Sequence, residues 1–600
     1  MGTRQPGRIS LDQGHHRPVS RLLRCIPVWL SILVLGLPAA GAQGVKNPDT
    51  YLHAGPADFD TLDPAFAEVG GGASPHAIAS IYETLIDFEG IFVDRFVPLL
   101  ATAVPSMRNG LISPDGRTYT FPIRQGVRFH DGTPMTPEDV AYSLRRFMLI
   151  GAAPSAYLLE PLLGIYHVQD DKGNLAVSFA DLQRVVRVQN NTVVLTLQEP
   201  FGAFVALMAG FSWVASRRWA AAHGDWDGTA ATMGTYANAH IEATAFHAQA
   251  NGTGPFRLER WDRAAGRVVL ARNDAYWRTP ARLARVVLQS VPDTGTRVLM
   301  LRTGDADSIS LGFAGLPLVE GAPGLRVITG LPGSTSVSAV IYFVADIDTR
   351  GNPYAGSGRL DGEGIPSDFF ADVHVRRAFA YAFDHTAFIA AAFRGRAVVM
   401  KGMFPVGMRG YNPRQEYFTL DRQRAIAEFK AAHGGAVWER GFSLTVAHLT
   451  GSSQSEIGTS MVKDGIEALN PKFRIAIRSL TWSTYVAERR RHKLPFFFGG
   501  FFADYPDPHN FAYNLLYSAS MRLQRFQTPP EVDQLILAAL RERDPRRREA
   551  LYFDINQKYF ELAPSIALAT SDGLRVQRSW VRGWYFNPAS QPKYYSLWKE

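Results

Sequence analysis

Ser113-Pro114-Asp115-Gly116-Arg117-Thr118-Tyr119-Thr120-Phe121-Pro122-Ile123-Arg124-Gln125-Gly126-Val127-Arg128-Phe129-His130-Asp131-Gly132-Thr133-Pro134 is the stretch that decides the fold. Tyr119–Ile123 and Val127–Phe129 alternate apolar and polar residues, which predicts two short strands around a turn. Gly126, Asp131 and Gly132 stand where the chain must reverse. Thr136-Pro137-Glu138-Asp139 then opens a helix: Thr as N-cap, Pro at the first helical position, acids in the first turn. Val140, Leu144, Phe147 and Met148 follow at helical spacing, so this helix has one core face.

Outward from this block the pattern repeats as mixed α/β. Residues 193–197, 268–271 and 286–291 read as strands. A long helix is expected over 374–393, and Asp544-Pro545 opens another with Leu551, Tyr552, Ile555 and Tyr559 on its apolar face. Residues 348–368, rich in Gly, Asp and Pro, read as a surface loop. The Gly/Ala/Thr-rich stretch 223–254 gives no periodic signal.

The N-terminus reads as an export signal. Arg17, Arg21 and Arg24 precede an apolar run, Cys25–Leu37, and Ala40-Gly41-Ala42 supplies a small-x-small cleavage site. The run is shorter than the ~20 residues that span a bilayer. Cleavage after Ala42 leaves 43–600, with 58 basic and 54 acidic residues, net +4 against +8 for the whole chain. That balance does not make a nucleic-acid protein. Cys25 is the single cysteine and leaves with the signal, which excludes a disulfide framework, a cysteine zinc site and an iron–sulfur site.

Catalytic motifs are missing. There is no H-E-x-x-H, no G-x-x-x-x-G-K-[ST] and no G-x-S-x-G. Gly252-Thr253-Gly254-Pro255 lacks the third glycine of a dinucleotide loop and leads into a strand. Asp504-Tyr505-Pro506-Asp507-Pro508-His509 gathers two carboxylates and an imidazole, but two prolines restrict its backbone, and no metal or other cofactor is expected. Arg489-Arg490-Arg491-His492-Lys493 and Arg546-Arg547-Arg548 read as solvated helix faces.

Four ordered blocks carry a resemblance over residues 50–600. They are 113–134 continuing through Asp139–Leu144; Asn251–Phe256 with Arg272–Trp277; Asp372–Phe379 with Tyr381–Asp384; and Phe501–Pro508. The chain resembles the solute-binding proteins of peptide-type ABC importers, the oligopeptide- and dipeptide-binding family 5. The resemblance implies an α/β, two-lobed periplasmic binding protein fold. It carries an extra subdomain on the first lobe, and two hinge strands join the lobes. Lobe 1 is expected over 43–300, lobe 2 over 301–568, and a return segment over 569–600 completes lobe 1. The crossings are expected near 292–308 and 564–576.

The resemblance also implies the site. Asp504 matches the family's aspartate that receives a ligand ammonium group, and Phe501 opens the same segment. Trp482, nineteen positions earlier, matches a pocket tryptophan. Tyr157 is similar to an opposing lobe-1 aromatic. Phe498 and Glu456 depart from positions that can carry an Arg and a His for the ligand carboxylate, so nickel chelates, haem, sugars or modified peptides stay open beside peptides. The implied protein is a periplasmic, monomeric receptor with no catalytic residues, which delivers a peptide or peptide-like ligand to an inner-membrane ABC permease. The alternative is an exported hydrolase of peptides or glycans, for which no nucleophile or acid/base motif is found.

Overall fold

Thr136 caps the helix Pro137–Ile150 through a reciprocal box: its hydroxyl accepts from the Asp139 N–H, and Asp139 accepts from the Thr136 N–H at 2.9 Å. Val140, Leu144, Phe147 and Met148 are all buried. Thr118–Pro122 forms a strand, whereas Val127–Phe129 does not. There Gly126 and Gly132 take left-handed φ of 80° and 85°, and the segment folds on itself through Phe129 N–H to Thr133 O. Only an isolated bridge, Arg128 with Pro134, remains of the second strand.

The structure is a computed structural model that describes residues 44–66, 72–170, 172–520, 526 and 528–600; the signal segment and its cleavage site lie outside them. Residues from Val45 to the end form one compact unit. Two large sheets organise it. The first has seven strands in the order 325–331, 573–578, 308–309, 50–55, 285–290, 267–272 and 256–262. The second has six, in the order 397–399, 565–571, 336–343, 496–502, 442–449 and 473–480. A small sheet of 118–122, 192–196 and 186–189 stands apart under the helix Pro137–Ile150.

Sheet membership places the crossings. The chain leaves the first sheet after Leu331 and enters the second at Ser336. It leaves the second after Ser571 and re-enters the first at Gly573, with Asp572 alone between. The strands at 308–309 and 325–331 therefore belong with the first sheet, although they were expected beyond a boundary at 300. The two crossings lie against each other: Leu331 pairs with Gly573, and a Cβ on Gly333 would sit 2.4 Å from the Ser571 carbonyl.

The expected helix 374–393 is two helices, Val373–Ala382 and His385–Phe393. Asp384 breaks it by capping the second, accepting from the Ala387 N–H at 2.9 Å. The Asp544 cap and the helix Pro545–Leu562 match the sequence. Gly252 and Gly254 allow a close backbone approach: a Cβ there would lie 2.1 Å from the Ile81 oxygen and 2.5 Å from that of Ser80. No helix among the described residues is long and apolar enough to cross a membrane.

Candidate functional site

A cavity of about 730 Å³ opens between the two halves of the fold. One wall comes from Asp60, Phe66, the end of the Pro137–Ile150 helix and residues 238–241. The other comes from the second sheet, chiefly the strands Ser336–Phe343 and Phe496–Phe502, and from the helix Trp482–Arg490. Both halves must hold their places for the cavity to exist.

The strand Phe496–Phe502 reads Phe-Phe-Phe-Gly-Gly-Phe-Phe and pairs antiparallel with Ser336–Phe343. The pairing slips between Val337 and Val340, which leaves a bulge, and Ser338 and Ala339 at that bulge line the cavity. Phe497 stacks on Tyr342 at 5.0 Å. Phe498 presses on the helix Ser453–Glu467, where a Cβ on Gly458 would come within 2.4 Å of its ring. Tyr485 fixes the wall helix to this strand by donating to the Phe498 carbonyl at 2.5 Å, and burial holds its phenol above the usual tyrosine range.

Trp482 lines the cavity. Its indole edge rests against Gly72, where a Cβ would lie 2.6 Å from Nε1, and Nε1 itself is buried with no hydrogen-bond partner among the described residues. Next to it, Ser483 donates to Asp58 at 3.0 Å and ties the helix to the opposite half.

The other three implied residues lie elsewhere. Asp504 is fully buried, accepts from the Tyr157 hydroxyl at 2.5 Å, and is not among the cavity-lining residues; neither is Tyr157. The two do meet, but inside a wall that joins the halves. Tyr157 also receives a bond from Asn514 at 3.1 Å, Tyr166 stacks on Tyr513 at 5.6 Å, and His509 meets Glu160 at 3.1 Å. Phe501 is 1% exposed and packs on Phe511 at 4.9 Å. Successive strand residues face opposite sides, so Phe502, 44% exposed, takes the cavity face and Phe501 the core.

The carboxylates and imidazole of 504–509 go to separate partners. Asp507 caps the helix Pro508–Leu516 and pairs with Arg548 at 2.7 Å, which raises the arginine's pKa further. Among the described residues no three His, Cys, Asp or Glu side chains are grouped as a metal site.

Sequence reasoning missed Asp60, Phe502, Arg489, Arg490 and His492, all of which line the cavity. A signal for the arginines was present: Trp482, Tyr485, Val486 and Arg489 are spaced i, i+3, i+4, i+7, one face of a helix.

The model of the bacterial extracellular solute-binding proteins, family 5 (middle), matches residues 95–522. Di/tripeptide-binding protein 2 of Pseudomonas aeruginosa is 25% identical over 93% of this chain and 96% of its own. The dipeptide-binding protein of Escherichia coli is 25% identical over 85% and 87%. The solved structure of the ABC transporter-associated periplasmic binding protein DppA from Helicobacter pylori, in complex with the peptide STSA, superposes with a TM-score of 0.72 at 23% identity. It covers 92% of this chain and 98% of its own. The fold is that of a two-lobed periplasmic binding protein.

Proposed function

The chain belongs to family 5 of the bacterial extracellular solute-binding proteins, and from that premise we propose that it captures a peptide or peptide-like solute between its lobes and delivers it to a membrane ABC permease. It is a binding protein and not an enzyme, so the hydrolase alternative is set aside. The observation that carries the reading is the cavity itself. It has walls from both lobes, an aromatic lining around Trp482 and Phe498, and a volume of about 730 Å³, within the range of small-molecule sites. Relatives named for di- and tripeptides support the choice of ligand.

In this reading the lobes divide at 332–335 and at Asp572, and close on the ligand by hinge motion. Trp482 contacts the ligand. Asp504 and Tyr157 act as a latch in the wall between the lobes, and Phe501 supports the strand from behind. The mature chain begins near Gln43, resides in the periplasm and works as a monomer.

The test is to purify the protein, denature it and identify the released small molecules by mass spectrometry. Peptides of a few residues are expected, at near one per chain. Release of a single non-peptide species, with no peptide bound in a di- and tripeptide screen, overturns the choice of ligand. N-terminal sequencing of exported protein checks the start at Gln43.

A further inference from the structure

The positive charge of residues 43–600 is concentrated in one stretch. Residues 251–285 hold eight arginines and three acids, a larger surplus than the net +4 of 43–600 as a whole. The stretch folds as the end of the first sheet opposite the crossings. It supplies the edge strand Phe256–Asp262, its hairpin partner Arg267–Arg272 and the start of the next strand, Arg285–Ser290.

A bulge sorts these arginines onto one face. Arg257 and Arg260 are three positions apart and would point to opposite sides of a regular strand. Glu259 is the extra residue at a register shift, so Arg257 pairs with Ala271 and Arg260 with Val269, two apart on the neighbouring strand. Arg285, opposite Ala271, and Arg267, two before Val269, share that face. Across the three strands, Arg257 and Arg285 stand about 10 Å apart. The other face carries Val268, Leu270, Val286 and Leu288, all buried, so the arginines hold the outer one.

Few of these charges are answered within the chain. Arg257 and Arg260 are exposed and have no hydrogen-bond or ion-pair partner among the described residues. Exposed Arg263, at the hairpin tip, lies over the Trp261 ring at 4.4 Å. Arg285 pairs with Glu259 at 2.9 Å, Arg267 donates to Gln289, and Asp262 accepts from the Ala265 N–H at 3.0 Å. Charges on an edge strand deter pairing with other chains, but that role does not require them to share a face.

We propose that this arginine face of the first lobe rests on anionic phospholipid headgroups and holds the receptor at the membrane that carries its permease. The membrane setting comes from the reading above; the face does not depend on which solute fills the cavity. A guanidinium forks onto phosphate oxygens. A headgroup layer presents many phosphates in one plane and so meets several arginines of a sheet face together, where a single acidic side chain meets one. Half-buried Trp261, beneath Arg263, adds the amphipathic ring that suits headgroup depth. Such contacts are weak singly, accumulate with the number of arginines and are screened by salt.

The probes are vesicles of phosphatidylcholine, vesicles of phosphatidylcholine and phosphatidylglycerol in equal parts, and soluble poly-glutamate. Cosedimentation of the chain from Gln43 to Glu600 is read at low and high salt. At low salt, binding is expected to be at least about fivefold greater on the phosphatidylglycerol vesicles, and high salt should abolish the difference. Arg257→Gln/Arg260→Gln and Arg257→Glu/Arg260→Glu should each lose most of it. Arg546→Glu/Arg547→Glu, which makes the same charge change as the second of these on an exposed helix start in the other lobe, should keep it. Thermal melting confirms that each variant is folded. Equal binding to both vesicles, or an equal loss in the Arg546/Arg547 variant, overturns the inference. Capture of poly-glutamate without capture of vesicles overturns it too, and assigns the face to an acidic protein segment.

Discussion

At Asp504 a tyrosine hydroxyl, not open cavity, faces the carboxylate. Asp504→Ala is therefore expected to weaken a free peptide and its N-acetylated form by the same factor, because it loosens the wall between the lobes. An ammonium anchor behaves differently. Its loss costs ~3–5 kcal/mol, or about two to four decades at ~1.4 kcal/mol per decade, and only for the free amine. Titrating both forms against the variant separates the two outcomes. Asp507 is no neutral control, since it caps a helix and pairs with the mostly buried Arg548. Asp507→Ala should lower stability by about 3 kcal/mol, read from a urea midpoint. That Trp482 lines the cavity was legible through the resemblance alone, which places a tryptophan nineteen positions before Phe501. The partner of Asp504 was not, because Tyr157 lies 347 residues away. Nor could the sequence say which of Phe501 and Phe502 faces the cavity: a strand apolar on both faces carries no alternation to read.

Helices were legible where their ends are written locally. Thr136 and Asp544 announce theirs through a side chain within three residues of the bond it makes. Asp384 carries the same message inside an apolar run, which hid the break between two helices. Tight turns were harder, because Gly126 and Gly132 convert an alternating pattern into a loop. The helix Ser453–Glu467 offers a test with a sign opposite to propensity. Gly to Ala inside a helix normally stabilises by about 1 kcal/mol. At Gly458 the added methyl would meet the Phe498 ring at 2.4 Å, and a buried ring in a paired strand has little room to retreat. Gly458→Ala should therefore lower the melting temperature and narrow the cavity, weakening ligands held beside Phe498. A rise in melting temperature with unchanged affinity would show that the ring moves freely.

On the scale of the whole molecule, buried histidines set the response to acid. Burial depresses His76, His130 and His385 from 6.5 to about 4. The unfolded chain takes up these protons near pH 6.5 and the folded chain only near pH 4. Stability is thus highest above pH 6.5 and falls as pH drops from 6.5 to 4, with no further loss from these groups below. Calorimetric melting at half-unit steps should show that window, and His385→Gln should flatten part of it. The α/β class and the two-lobed plan were legible because four sequence blocks lie in order. The sheet boundary was not, because the strands 308–309 and 325–331 are short or irregular and join the first sheet by pairing with residues 573–578, far along the chain. The crossings have a mechanical consequence. One is a single residue, Asp572, the other four residues, and they touch. From Ser571 to Gly573 the chain reaches at most about 7 Å, so the lobes can turn about this tether but cannot draw apart. The gape is then smallest beside the tether and grows with distance from it. In the proposed function the molecule would work as a caliper with a fixed pivot, registering the size of what it grips as an angle between its jaws.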